Sequence, residues 1–351
     1  PPTTPMSCRR QRQMCIRDRP RGAGGTPPTT AISSADTPSG RIDSITTTTH
    51  ANRNYSVVWE RLLNANNNSL GSYWANYFNN QNNTFAASSS MVYEGSGVTD
   101  PNIVVDDFDN ITVIGEKFVA NGGTTTYSVM TNRMSANGAW GTAAEHATPV
   151  ERPNGRGNVA YGVTDSNGNV IMVYHQINGT QYELLIDEYN NLSNTWIGAE
   201  PMVSTSNQIE AFRVYRSANQ QPLLTWSERY TDLDGNRRYK ALSKKRLSQS
   251  QWDTERVIVD QLTNYAEPIQ LHIDDQNNEK LIWSENPLLN GTIWSANYSS
   301  DTDQWQQARN LIPGDPNSYL QYTLHPIGPG EIQLIANKNG TSMTLYSIDY
   351  R

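Results

Sequence analysis

Four glutamates, Glu60, Glu116, Glu228 and Glu285, each close a short apolar run, and Gln176 and Asn337 fall near the equivalent place in two further runs. Carboxylates repeated at one structural position and gathered on a ring could bind a cation, accept hydrogen bonds from sugar hydroxyls, or act as a general acid and base pair. A charge placed where a strand enters solvent, and copied with the repeat, gives the same pattern without chemistry. Tryptophans accompany the acids: Trp59, Trp226 and Trp283 lie one or two residues before three of them, and Trp74 and Trp294 lie on the next run. Flat aromatic faces stack on sugars when exposed and fill cores when buried. The first three are expected in the core, whereas Trp74 and Trp294 join the glutamates as candidate binding residues.

Other chemistry is poorly supported. The segments VDDFDN (105–110) and TDLDGN (231–236) look like calcium loops, but neither reaches the distal Glu of an EF-hand, and both suit a hairpin turn. The five histidines, His50, His146, His175, His272 and His325, show no paired zinc spacing. No G-x-S-x-G elbow, phosphate loop or dinucleotide fingerprint occurs. No cofactor and no metal is therefore expected.

The elements that must position these residues show as a repeat. Trp140, Trp196, Trp252 and Trp305 recur at intervals of 56, 56 and 53 residues, and Phe85 precedes the first by 55. Periods of this size mark propellers or arrays. Each copy begins with an alternating run that ends in an Asn/Asp/Gly turn, as in NVAYGVTDSNGN (158–169), which is a hairpin signal. An apolar run follows, such as VIMVYH (170–175), PLLTWSE (222–228) or KLIWSE (280–285); it alternates poorly, so it predicts a strand buried on both faces. A third run ends near a Tyr, and two copies share Ala-Asn-Tyr, at Ala75–Tyr77 and Ala296–Tyr298. The periodic aromatic then opens a fourth run, as in WDTERVIVD (252–260).

Four strands per repeat predict an all-β fold, a six-bladed β-propeller of antiparallel sheets. Blades are expected at about 42–95, 96–150, 151–205, 206–261, 262–315 and 316–351. The last copy has three strands, and a strand at 29–34 is expected to complete it and close the ring, which would remove exposed edges. A longer ring, of which Gly22–Ser34 is a remnant, is the rival. Two domains, or a sandwich with accidental spacing, are further alternatives.

Residues 1–21 are set apart from the single domain expected over 22–351. Arg9, Arg10, Arg12, Arg17 and Arg19 cluster there with both cysteines, Cys8 and Cys15, and RRQRQMCIRDR (9–19) resembles a translated sequencing-adapter read-through. A true basic tail is the alternative. With those five arginines and Asp18 set aside, the formal net charge falls from −7 to −11. An acidic, cysteine-free body argues against a nucleic-acid partner and against anionic membranes. No apolar stretch approaches the ~18 to 20 residues of a membrane span.

The copy DSNGNVIMVY (165–174) resembles the blade pattern of bacterial sialidase-like propellers, and the resemblance spans the repeat region from Gly22 onward. It implies the propeller architecture. The S-x-D-x-G-x-x-W Asp box of that family is absent, and Arg61, Arg213 and Arg229 show no triad context, so sialidase activity is not implied. The leading expectation is a monomeric, non-catalytic propeller, extracellular, periplasmic or on the cell surface, that recognises a glycan or protein partner through loops on one face. A secreted glycan-active hydrolase and a scaffold module of a larger surface protein are the alternatives.

Overall fold

The computed structural model describes residues 41–49, 55–62, 71–79, 84–85, 90–95, 99–121, 124–136, 138–150, 160–248, 251–264, 266–273, 278–285, 292–299, 301–311, 319–328, 331–338 and 342–349. Every regular element among them is a β-strand. The segment 1–21 and the expected closing strand at 29–34 lie outside the described residues.

Six antiparallel sheets follow one another along these residues. In the third, Ala160–Thr164, Val170–Asn178 and Gln181–Asn190 form a meander, and Thr195–Trp196 and Glu200–Thr205 both pair with the third strand. The fourth sheet repeats this with Gln208–Arg216, Pro222–Thr231, Arg237–Ser248, Gln251–Trp252 and Arg256–Leu262. The fifth does so with Ala266–Ile273, Glu279–Glu285, Thr292–Ser299, Gln304–Trp305 and Arg309–Asn310. The first two sheets begin at Arg41–Thr49 and Thr99–Val105, and the sixth holds Tyr319–Gly328, Glu331–Lys338 and Ser342–Asp349.

The fourth run is thus not the continuous strand expected from WDTERVIVD. In the fourth sheet the Asp253 N–H donates to the Lys245 carbonyl at 2.9 Å, and its Oδ1 accepts the Lys245 N–H at 2.7 Å. A side-chain oxygen takes the place of a ladder carbonyl there, so pairing breaks and resumes at Arg256. The residue after each periodic Trp makes the same main-chain bond to the third strand: Gly141 to Arg133, Ile197 to Glu188 and Gln306 to Asn297, each 2.8 Å. Two residues before three of these tryptophans the backbone turns left-handed, with φ of 87° at Gly138, 55° at Asn194 and 56° at Asp303. Gly, Asn and Asp are the residues that tolerate that region.

The chain divides into two compact units at Pro149/Val150, where the repeat spacing puts the boundary between its second and third copies. In the first unit, Arg41–Thr49 lies beside Thr99–Val105; in the second, Ala160–Thr164 lies beside Gln208–Arg216, which lies beside Ala266–Ile273. First strand against first strand, sheet after sheet, is how propeller blades meet. The cores lie between successive sheets. Ile171, Val173 and Leu184 of the third pack on Phe212, Leu224 and Trp226 of the fourth, and Tyr239 and Ile258 of the fourth pack on Leu281 and Trp283 of the fifth. The second strands are buried on both faces, since Val170, Met172 and Tyr174 are as inaccessible as Ile171 and Val173. Burial, with help from the Asp187 charge, pushes the Tyr174 hydroxyl up to about 12.

The periodic tryptophans sit at these seams. Trp140, Trp252 and Trp305 each pack on a core shared with the preceding sheet, and Trp305 Nε1–H donates to Ser243 Oγ of that sheet at 2.8 Å. Tyr189 and Tyr298 meet Trp196 and Trp305 edge to face at 5.5 and 5.4 Å. Basic side chains use strand alternation in the same way. On the third strand of the fourth sheet, Lys244 and Arg246 reach the third sheet while Lys245 reaches the fifth. Lys244 donates to the Met202 carbonyl at 3.2 Å, Arg246 pairs with Glu188 at 2.5 Å and Asp165 at 3.4 Å, and Lys245 pairs with Glu279 at 2.9 Å. Burial pushes the Glu188 carboxyl above its ordinary range against the pull of Arg246.

Two outcomes follow. A Cβ added to Gly115 would stand 2.1 Å from Tyr73 Cε2, so Gly115→Ala should lower unfolding free energy by about 1–3 kcal/mol in urea titrations; an unchanged midpoint would contradict this packing. A carboxyl whose folded pKa is raised stabilises the fold below its unfolded value and loses that contribution as pH rises through the folded value. As pH rises from 4.5, the ordinary value, the native chain should therefore lose stability relative to Glu188→Gln, and the opposite slope would show that Arg246 dominates.

Candidate functional site

In the fourth and fifth sheets the second strand places a glutamate near the end where the chain enters from the preceding sheet. In the fourth sheet that residue is Glu228, 2% exposed. Trp226 lies two positions earlier on the same face and donates Nε1–H to Glu228 Oε1 at 2.9 Å. Lys240, its register partner on the third strand, brings Nζ within 3.2 Å of Oε2. Asn207 Nδ2, from the turn that leads in from the third sheet, donates to the same oxygen at 2.8 Å.

Glu285 repeats the design in the fifth sheet with less burial. Its Oε2 accepts Trp294 Nε1–H at 3.1 Å, while Oε1 accepts Thr263 Oγ1–H at 3.2 Å and the Asn264 N–H at 3.3 Å, both from the incoming turn. In the third sheet the acid has crossed the ladder: Gln176 stands on the second strand, and its register partner Glu183 supplies the carboxylate. Glu183 accepts Gln176 Nε2–H at 2.8 Å and Ser204 Oγ–H at 3.4 Å. Sequence reading placed Gln176 near the equivalent position and missed Glu183. The signal available was the two-residue hairpin at Gly179, which fixes that pairing.

Glu116 is buried in the second sheet, and its N–H points to the Tyr73 hydroxyl at 3.5 Å. Glu60 is in register with Tyr73 on the first sheet, and Asn337 with Met343 on the sixth; both side chains lie outside the described residues. The structure brings Glu228 and Glu285 to equivalent places in one unit, whereas Glu60 and Glu116 belong to the other. Trp59, Trp226 and Trp283 are in the core. Trp74 and Trp294 face Trp59 and Trp283 across their ladders and stay half-buried, with the Trp74 indole donating to Ser72 Oγ at 2.8 Å.

The calcium-like loops are Asx turns. Oδ1 of Asp106, Asp165 and Asp232 accepts the N–H of the residues two and four positions on, at 2.7 to 3.0 Å, and an arginine meets the other oxygen. The residue three positions on has positive φ: 66° at Asp109, 76° at Gly168 and 81° at Gly235. Among the described residues, no group of three or more His, Cys, Asp or Glu side chains could hold a metal ion. The first strands carry a different cluster, which sequence reading passed over: the Arg213 guanidinium lies 5.0 Å from the Tyr161 ring centre, and Tyr161 meets Phe212 edge to face at 5.3 Å.

A carboxylate surrounded by donors orients those donors. Glu228→Ala should strand Lys240, Asn207 and Trp226 without their acceptor and cost about 2 kcal/mol of stability. Glu285→Ala, at a half-buried site, should cost about 1 kcal/mol, both read from urea unfolding. Equal, negligible losses would refute the clasp role.

No protein-family model matches the sequence, and no curated protein matches it. In three dimensions the chain is similar to an ulvan lyase of a new polysaccharide lyase family bound to GlcA(1-4)Rha3S: TM-score 0.57, 7% identity, 84% of this chain and 78% of that one covered. A second ulvan lyase structure gives a TM-score of 0.55 at 7% identity with the same coverage. A NanB sialidase mutant from Streptococcus pneumoniae gives 0.48 at 10% identity, covering 89% of this chain and 67% of that one. At such identities the likeness is one of fold, an all-β array of antiparallel sheets shared with the ulvan lyase.

Proposed function

We propose that this chain is an exported, monomeric, six-bladed propeller that binds a glycan without cleaving it. The observation that carries the reading is the half-buried Trp294 held by Glu285, with Thr263 and Asn264 beside it. A flat indole fixed by a carboxylate, next to short polar side chains, offers a sugar a stacking face and hydroxyl partners at once. Trp74 in the first sheet occupies the corresponding ladder position, with its indole bonded to Ser72 Oγ at 2.8 Å. Glu228 is fully occupied by Lys240, Trp226 and Asn207, which favours binding over acid–base chemistry at that position. Glu228 and Glu285 with Trp294 in one unit, and Glu60 and Glu116 with Trp74 in the other, are the proposed binding residues, each taken within its own unit. The count of six blades is supported by six successive sheets and by first strands that neighbour one another within each unit.

A second reading, a glycan-active enzyme, is favoured by the fold shared with an ulvan lyase bound to a glucuronate-containing ligand. A glycan array probed with the full chain separates the two, followed by an assay of any bound glycan for new chain ends. Retention without new ends is expected. Trp294→Ala should weaken binding by about tenfold or more, the loss of one aromatic anchor, while Trp294→Phe keeps most of it. New chain ends from the bound glycan would replace this reading with the enzymatic one, and silence across the array would end both.

A further inference from the structure

The fourth sheet gathers an amine and a carboxamide on one oxygen of a buried carboxylate. Glu228 Oε2 accepts Asn207 Nδ2–H at 2.8 Å and meets Lys240 Nζ at 3.2 Å. A carboxylate can only accept there, so the amide turns its nitrogen, not its oxygen, toward Oε2. The other carboxylate oxygen is fixed by Trp226 Nε1–H at 2.9 Å, which keeps Oε2 aimed at the two nitrogens. Both nitrogens are held in turn. Lys240 is the register partner of Glu228 on the paired strand, while the Asn207 N–H donates to Thr205 Oγ1 at 3.1 Å, and Thr205 Oγ1–H donates to Oε2 at 3.5 Å. Donors of its own chain thus close Glu228 to the protons of a ligand. The two groups that it gathers can react with each other.

The fifth sheet supplies the contrast. Asn264 stands 21 residues before Glu285, as Asn207 stands 21 before Glu228, and a threonine of the same turn donates to each acid. The register partner of Glu285 is Thr292, however, so no amine is present, and the Asn264 amide turns to Thr263 Oγ1 at 3.3 Å instead. In the third sheet the register pair is Gln176 with Glu183, again without an amine. Holding a turn needs only a donor, and a hydroxyl or an indole serves. A lysine at that position brings a nucleophile as well.

We propose that Lys240 and Asn207 are the partners of an intramolecular isopeptide bond, formed with Glu228 as the proton carrier. Oε2 takes a proton from the Lys240 ammonium, and the freed Nζ attacks Asn207 Cγ. The Nζ–Cγ bond forms and the Cγ–Nδ2 bond breaks, and the leaving nitrogen, already in contact with Oε2, receives its proton from that oxygen. Nζ gives up two protons in all, and the leaving nitrogen gains both. Ammonium and a carboxamide become a secondary amide and free ammonium; Glu228 ends as the carboxylate it began as, and no other reactant is consumed. Amines attack amides very slowly in free solution, so the rate has to come from held contact and from a proton route through a single atom. The bond ties the third strand of the fourth sheet to the turn that enters that sheet. It closes a loop of the unfolded chain as a disulfide does, without needing an oxidising compartment, and residues 22–351 contain no cysteine that could do so. This inference does not depend on the glycan reading.

The test is the denatured mass of the full chain after it has been folded and incubated in neutral buffer. The native chain should weigh less than its sequence by one ammonia. Its tryptic digest should hold a branched peptide that joins the segment containing Asn207 to the segment containing Lys240, with cleavage after Lys240 lost. Lys240→Arg, which keeps the charge on Glu228, should retain the full sequence mass, and so should Glu228→Gln, which keeps the shape without the proton carrier. Asn-Gly steps such as Asn178-Gly179 also shed ammonia when they cyclise to a succinimide, and Lys240→Arg separates the two sources. An equal deficit in Lys240→Arg assigns the loss elsewhere and overturns the inference. A native chain of full mass overturns it as well and leaves Lys240, Asn207 and Glu228 as a noncovalent clasp. The branched peptide appearing in Glu228→Gln overturns the proton-carrying role given to that carboxylate.

Discussion

A strand that carries apolar side chains on both faces cannot be satisfied by its own sheet, and this demand organises the second unit of the chain. Val170 to Tyr174 are all inaccessible, so the third sheet needs a layer on each side. Each such side chain is worth about 1.5–3 kcal/mol when fully buried, which makes contact between sheets, not pairing within them, the dominant stabilising term. The seams then attract everything else. Periodic tryptophans fill them at one end, and the left-handed residue two places before aims the indole inward.

Charges reinforce the seams without being the source of stability. A buried ion pair gains little net energy once both partners have lost water, yet Arg246 with Asp165 and Glu188, and Lys245 with Glu279, are specific about which faces meet. Slipping a strand by one residue would send Lys245 to the wrong neighbour. The same logic explains the acids at the strand ends. Glu228 and Glu285 hold the incoming turns, and in doing so they fix the side chains beside them. Arg213 differs, a half-buried cation whose guanidinium lies over the Tyr161 ring.

Much of this could be read from the sequence because it follows from periodicity. The 56-residue tryptophan spacing, the poorly alternating second run and the Asn/Asp/Gly turns each reflect one local rule repeated, and they fall on successive antiparallel sheets. Three things could not be read. The break in the fourth run depends on the Asp253 carboxylate imitating a backbone carbonyl, and nothing in WDTERVIVD distinguishes that Asp from a surface one. The run Ser-Lys-Lys-Arg at 243–246 looks like an exposed basic patch until strand alternation and two neighbouring sheets give each cation an address. Arg213 and Tyr161 are 52 residues apart on edge strands, and only the juxtaposition of successive first strands joins them.

The clasp formed by Glu228 with Asn207, and by Glu285 with Thr263 and Asn264, links a carboxylate in one sheet to the turn that precedes it. A stretch of gene running from one incoming turn to the next therefore encodes both the acid and the donors it engages. Duplicating that stretch inserts a sheet already equipped to hold its own entry, while ion pairs between sheets, such as Lys245 with Glu279, have to be matched anew. Lengthening by whole units is the easy evolutionary path for such a chain, and partial insertions within a unit are the costly one.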